Sequence, residues 1–315
     1  MVTLNLTRSA IALFIILLSM LLSACSQAPQ SIRIAINPWP GYEFIYLAEQ
    51  QGYFKQQGLN IELVQIASLA DGLRAFKAGQ VDGMASTTVE VVHAAASSHR
   101  QITPILVADA SFGGDIIVAQ SDIKHVRELT GKRVGLELNS LGVLVLSLAL
   151  AQHDLSLHDV QLINIEQLDG EQALDNKHID AFVTYPPIAT RLTSKYNTIF
   201  TSKQTPNQIL DVVTVDASKI PNLAEFTQKF HAAWQLALDF TLANKNVAYQ
   251  IMAQRQNISI ADFQQTVEND LTIYNQSQQA NALALVKENI NFVCLSLAES
   301  QQVNLPCSQV INNIK

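Results

Sequence analysis

Charge is scarce in this chain. Asp, Glu, Lys and Arg make up 15% of its 315 residues, against roughly 25% in ordinary soluble domains, so with Gln and Asn abundant the surface is polar more than ionic. Positive charge is scarcer still: 20 Lys and Arg against 27 Asp and Glu leave a formal net charge of -7 and a pI near 5.5. No run of Lys and Arg interrupts that balance, which argues against a nucleic-acid partner. Collagen and heptad repeats are absent, and a hydrophobic content of 48% excludes disorder. Catalytic signatures are missing as well. There is no G-x-S-x-G elbow, no H-E-x-x-H helix, no phosphate-binding G-x-x-x-x-G-K-[ST] loop and no dinucleotide glycine fingerprint. The seven His are scattered, and the nearest pairs, His93 with His99 and His153 with His158, have no Cys or carboxylate company at helical spacing. No metal and no cofactor is expected, and the chain is read as a non-enzyme.

Long apolar runs are limited to one. Ile11 to Leu22 is almost purely apolar and follows Arg8; at about 12 residues it is too short to span a bilayer, which takes roughly 20, and it reads as a signal segment. Leu22-Ser23-Ala24-Cys25 follows at once and resembles the bacterial lipobox, in which the Cys becomes the lipid-bearing first residue. An ordinary cleaved signal with an incidental Cys is the alternative. On the lipobox reading, residues 1–24 are removed, Cys25 carries acyl chains worth about 0.8 kcal/mol per buried CH₂, and residues 25–31 form a polar tether. The protein then sits in the cell envelope, facing the periplasm or the cell exterior. Two further cysteines, Cys294 and Cys307, lie close in sequence. Outside the cytoplasm such a pair usually forms a disulfide; two separate buried thiols are the alternative.

What is present is a strand and helix alternation. Ile32–Ile36 is β-rich, and Asn37-Pro38-Trp39-Pro40-Gly41 breaks it. A helix follows over 43–51, a strand over 61–66, a helix over 69–78, a strand over 81–85 and a helix from Thr88. This spacing predicts βαβ units, mainly parallel sheet and an α/β fold. The pattern returns between Arg133 and Ile199 and gives way to long helices after Pro221. Residues 31–36 are echoed by residues 131–136, and Gly79-Gln80-Val81-Asp82-Gly83 by Lys177-His178-Ile179-Asp180-Ala181. Two similar lobes account for the echo, although βαβ sequences also resemble one another in general. Ligands of open α/β sheets bind beyond the carboxyl ends of the strands, so facing lobes form a cleft. Residues 105–119 and 210–215 read as the two crossings, with Gly113-Gly114 as hinge. Lobe one is then 32–112 with 214–315, and lobe two 113–213.

Asn37-Pro38-Trp39-Pro40-Gly41-Tyr42, then Tyr46-Leu47-Ala48 and Gly52-Tyr53-Phe54, resembles the opening of solute-binding proteins of ABC importers. The group handles nitrate, alkanesulfonates, taurine and thiamine-pyrimidine precursors. Gly58-Leu59, Gly79-Gln80-Val81-Asp82 before Ser86-Thr87, Gly131-Lys132-Arg133-Val134 and Asp180-Ala181-Phe182 extend the likeness over residues 32–215. It implies the two-lobed type II periplasmic-binding architecture with two crossings. It also implies ligand loops at Trp39, Gly41 and Tyr42 with Glu43 beside them, at Ser86 and Thr87, at Ser111, Phe112 and Gly113, at Asn139 and Ser140, and at Thr184, Tyr185 and Pro186.

The residue types suit such a role. Ser86-Thr87 and Asn139-Ser140 precede helices and can offer hydroxyls and free N–H groups, or serve simply as caps. Trp39, Tyr42 and Tyr185 can supply flat walls in an exposed cleft, or pack in a core. The loops hold no Lys or Arg, whereas Glu43, Asp109, Asp115 and Glu137 lie in or beside them. That favours an amine, a zwitterion or a nitrogen heterocycle over nitrate or a simple sulfonate. The expected protein is a monomeric receptor handing a small solute to ABC permease subunits at the membrane. A ligand-sensing module for a membrane signalling partner is the alternative, and an enzyme of thiamine-pyrimidine synthesis lacks its expected His and metal cluster.

Overall fold

In the computed structural model, residues 31–299 and 301–315 are described; the signal, the lipobox Cys25 and all but the last residue of the tether lie outside them. The first lobe opens with β1 (Ile32–Ile36), α1 (Glu43–Gln50), α2 (Tyr53–Gln56), β2 (Ile61–Gln65), α3 (Leu69–Lys77), β3 (Gly83–Thr87), α4 (Thr88–Ser97) and β4 (Ile102–Ser111). The second lobe follows as β5 (Ile116–Ala119), β6 (Arg133–Leu136), α5 (Leu141–Ala151), β7 (Gln161–Asn164), α6 (Gly170–Asp175), β8 (Ala181–Thr184), α7 (Ile188–Leu192) and β9 (Asn197–Thr201). The chain then returns through β10 (Leu210–Asp216), α8 (Leu223–Ala243), α9 (Lys245–Gln256), α10 (Ile260–Asn269), β11 (Leu271–Ile273), α11 (Gln279–Glu299) and α12 (Cys307–Asn312).

Two sheets result, ordered β11-β4-β10-β3-β1-β2 and β7-β6-β8-β5-β9. The expected parallel pairing holds for β1 with β2 and β3, and for β6 with β7 and β8. The crossing strands differ from that expectation: β10 is antiparallel to β3 and β4, and β5 to β8 and β9. A chain that leaves one sheet and comes back from the other re-enters in the opposite sense. The second crossing strand, β10, pairs with the first-lobe strands β3 and β4 from Leu210 onward.

The internal echo has a structural counterpart. Arg33 N donates to Asp82 Oδ2 (2.9 Å) while Asp82 N donates to Arg33 O (2.7 Å). Arg133 N donates to Asp180 Oδ2 (2.8 Å) while Asp180 N donates to Arg133 O (2.8 Å). Each pair fixes one parallel strand, β1 or β6, against the turn entering another, β3 or β8, and this reciprocity explains the repeated Asp.

Local sequence explains the helices that flank the cleft. Ser68 caps α3 by accepting from Asp71 N (3.3 Å), and Leu69, Leu73 and Phe76 turn one face inward. Thr87 caps α4 in a box with Glu90. Helix α5 is apolar nearly all round and accordingly buried. The returning segment covers the first lobe: Phe44 meets Trp234 of α8 at 5.7 Å and Phe54 meets Phe230 at 5.0 Å between ring centroids. Cys294 and Cys307 are disulfide-bonded, tying α11 to α12.

Candidate ligand-binding site

The carboxyl ends of β1 and β8 converge with both crossings and with the first residues of α3 and α5, Leu69 and Leu141, on one small cavity. Asn37, Trp39 and Tyr42 come from the loop after β1, Asp115 from the first crossing, Asp211 from β10, and Tyr185 from the loop after β8. The Pro-Gly pair after Trp39 starts a short 3-10 turn that brings Tyr42 beside the strand ends. Close approach explains two glycines here: a Cβ on Gly41 would lie 1.8 Å from Asp109 Oδ2, and one on Gly114 would lie 2.7 Å from the Trp39 ring.

Trp39 and Tyr185 face each other across the lobes, edge to face, with centroids 6.0 Å apart and planes at 81°. The expectation of an exposed cleft tryptophan is corrected: Trp39 is 3% exposed because Tyr185 and Gly114 cover it. The free space between the walls is about 10 Å³.

Around this cavity stands a cluster of acids. Trp39 Nε1 donates to both Asp109 oxygens (3.3 and 3.2 Å), and Tyr42 Oη donates to Asp211 Oδ1 (2.5 Å). Asp115 Oδ2, Asp211 Oδ2 and Asn37 Oδ1 are buried and make no hydrogen bond within the described residues. Burial pushes Asp115 up to about 7. Burial and the neighbouring acids push Asp109 and Asp211 well above the carboxylate range. Among the described residues, no Lys, Arg or His acts on these three acids or lines the cavity. The open acceptor atoms between the aromatic rings can take a donor, and a cation there would offset the charge the acids gain when they ionise.

Residues 39–248 match the family described as NMT1/THI5-like. The chain belongs to the NMT1/THI5-like family. A Haemophilus influenzae relative named for thiamine biosynthesis is 22% identical over 248 residues, 77% of this chain and 79% of its own. Among solved structures, the alkanesulfonate-binding protein SsuA from Xanthomonas axonopodis pv. citri, bound to MOPS, superposes with a TM-score of 0.76 at 15% identity, covering 92% of this chain and 99% of SsuA. A Staphylococcus aureus ligand-binding component of an ABC-type import system gives 0.70 at 14% identity, over 89% and 95% of the two chains. The fold also carries chemistry elsewhere: the desulfurization enzyme DSZB gives 0.65 at 15% identity over 90% and 98%. The NMT1/THI5-like chain thus has the two-lobed periplasmic-binding architecture expected of it.

The other loop residues named from this NMT1/THI5-like sequence go to different places. Ser86 is buried, and its hydroxyl makes no hydrogen bond within the described residues. Thr87 and Ser140 both donate to Glu90 (2.6 and 2.7 Å), so their hydroxyls are engaged as caps and interlobe contacts. Thr184 donates to Gln167 Oε1 (3.0 Å). Ser111 Oγ lies 2.8 Å from Ser202 Oγ, which also accepts from Gly113 N (2.6 Å), fastening the first crossing to the turn after β9. Phe112, 43% exposed, stands outside the cavity with Lys203 over its ring.

Glu43 turns away from the cavity and pairs with Arg255 of α9, with Gln256 Nε2 donating to it at 3.0 Å. Burial outweighs those partners and pushes Glu43 up to about 7. Asn139, in the left-handed region at φ 59°, borders a separate flank cavity of about 710 Å³ beside Arg74, Lys77 and His93. That cavity is far larger, but the described residues lining it include no Trp, Tyr or Phe and no acid. Sequence reasoning missed Asn37, Asp211 and Glu90. An acid inside the apolar run Leu210–Val215 was the one available signal for Asp211.

Proposed function

We propose that the protein is the lipid-anchored, non-enzymatic receptor of an ABC importer, and that it captures a small cationic, zwitterionic or heteroaromatic nitrogen compound between Trp39 and Tyr185. The observation that carries the ligand class is the cluster of Asp109, Asp115 and Asp211, buried without a facing cation among the described residues. A protonated or N–H-bearing solute supplies donors to Asp115 Oδ2, Asp211 Oδ2 and Asn37 Oδ1 while the two rings close on its faces. A sulfonate or nitrate would place a permanent negative charge among acids that ionise only around or above neutral pH, and would hold them protonated, with no Arg or Lys lining the cavity to offset its charge. Transport as the role is supported by the family, by the fold shared with a component of an ABC-type import system, and by the signal and lipobox pattern at the amino end. The test is a thermal-shift panel at pH 8. Aminopyrimidines from the thiamine pathway and simple ammonium compounds should raise the melting temperature, while taurine, methanesulfonate and nitrate should not. Stabilisation by methanesulfonate alone contradicts the reading.

A further inference from the structure

Glu90 is fully buried at the junction of the lobes and does not line the cavity. As the third residue of α4 it completes the capping box, its Oε2 accepting from Thr87 N (2.9 Å) and Thr87 Oγ1 (2.6 Å). A capping box needs only that oxygen. The other, Oε1, reaches across to the second lobe and accepts from Ser140 Oγ (2.7 Å) and Leu141 N (3.1 Å). Those two donors are the amino end of α5, an eleven-residue helix whose first residue, Leu141, also borders the ligand cavity. The amino end of such a helix, with its unpaired N–H groups and positive dipole, is where an anion would bind. Here a carboxylate of the opposite lobe is seated on it, and all four of these contacts bring a donor to an acceptor-only group.

We propose that Glu90 is both the interlobe clasp and the anion filter of the cleft: a first-lobe carboxylate that docks on the amino end of α5 as the lobes close, and so withholds those donors from an anionic solute. The inference deepens the receptor reading and rests on its closing cleft, but it concerns a residue that touches no ligand. Glu90 acts by positioning one lobe on the other, and its charge decides which ligand charge the closed cleft accepts.

The test uses the purified full-length protein and three variants. Glu90→Ala removes the clasp, Glu90→Gln keeps the side chain's size but not its charge, and Ser140→Ala removes one clasp bond while leaving the α4 cap intact. Without ligand, small-angle scattering should give a larger radius of gyration for Glu90→Ala and Ser140→Ala than for the parent. Titration calorimetry with methanesulfonate should show affinity at least about tenfold higher for Glu90→Ala, which frees those donors, and for Glu90→Gln, which removes the negative charge beside the anion; one hydrogen bond to a charged group carries roughly that factor. Ser140→Ala should gain no such affinity, because Glu90 remains on Leu141 N. A general loss of packing would not separate the variants in this way. Parent-like scattering in folded Glu90→Ala and Ser140→Ala overturns the clasp, and unchanged methanesulfonate affinity in Glu90→Gln overturns the filter. Should Glu90→Ala fail to fold, Ser140→Ala decides the clasp and Glu90→Gln the filter. Neither readout uses the cationic solute, so failure of the ligand-class reading is registered separately, in the thermal-shift panel.

Discussion

Replacing Asp115 with Asn should stabilise the ligand-free protein, and should do so only above mildly acidic pH. Asp115 is 1% exposed, its Oδ2 makes no hydrogen bond within the described residues, and burial pushes it from 3.8 to about 7. Between about pH 4 and pH 7 the folded chain therefore holds a proton that the unfolded chain has released, and folding stability falls as the pH rises through that window. A displacement of about 3 pH units at 1.36 kcal/mol each amounts to about 4 kcal/mol, absent near pH 4 and complete above pH 7. Asn cannot ionise and has nearly the shape of the protonated acid. The difference in unfolding free energy between Asp115→Asn and parent should accordingly climb by about 4 kcal/mol between about pH 4 and 7.5, whatever constant offset the amide introduces. Asp109 also feels the Asp115 charge and is relieved in the same direction. Urea denaturation of both proteins at about pH 4.5, 6 and 7.5 measures the trend. A difference that stays flat with pH, or shrinks as pH rises, would refute the claim that an ionised Asp115, with no cation facing it and Oδ2 without a donor, destabilises the closed cleft.

The same acids predict that binding of a primary-ammonium aminopyrimidine strengthens from about pH 6 to pH 8, by up to about tenfold per pH unit for each proton displaced; calorimetric Kd values that weaken over that range contradict it. Trp39→Ala removes the wall opposite Tyr185 and the Asp109 donor, and should weaken such a ligand by about 1–2 kcal/mol, roughly five- to thirtyfold in Kd; an unchanged titration would move the site elsewhere. Cys25→Ser should abolish lipid attachment and release the protein from membranes, and continued pelleting of the variant after a high-salt wash would dismiss the lipobox.

Much of the first lobe is legible in the sequence, because its signals are local. The alternation of β1, α1, β2, α3 and β3 is bounded by Pro, Gly and Ser caps, and the strand and helix ends fall within about two residues of expectation. The Arg33–Asp82 and Arg133–Asp180 pairs give the internal echo a cause that pattern alone could not distinguish from ordinary βαβ likeness. Strand direction was not legible, since an apolar run such as Leu210–Val215 reads alike in either sense and only the return of the chain makes it antiparallel.

The site divides in the same way. Trp39, Tyr42 and Tyr185 stand on strand-end loops that the alternation locates. Glu43 shares that loop but begins α1, whose packing on α9 turns it to Arg255. Glu90 could be read as a completed cap from Thr87-x-x-Glu90, but its second oxygen contacts residues 50 and 51 positions away, which no local pattern records. Asn37 and Asp211 escaped for a related reason: their importance lies in acceptor atoms left without a partner, a property of the assembled cleft.

The central claim is the chemical class of the solute. Full-length protein purified under native conditions, then denatured, should release its bound small molecule for untargeted mass spectrometry, with a mock purification as the blank. The cluster of Asp109, Asp115 and Asp211 between Trp39 and Tyr185 predicts a compound with a protonatable or aromatic nitrogen and no net negative charge. Recovery of a sulfonate, nitrate or another anion in stoichiometric amount would contradict that assignment.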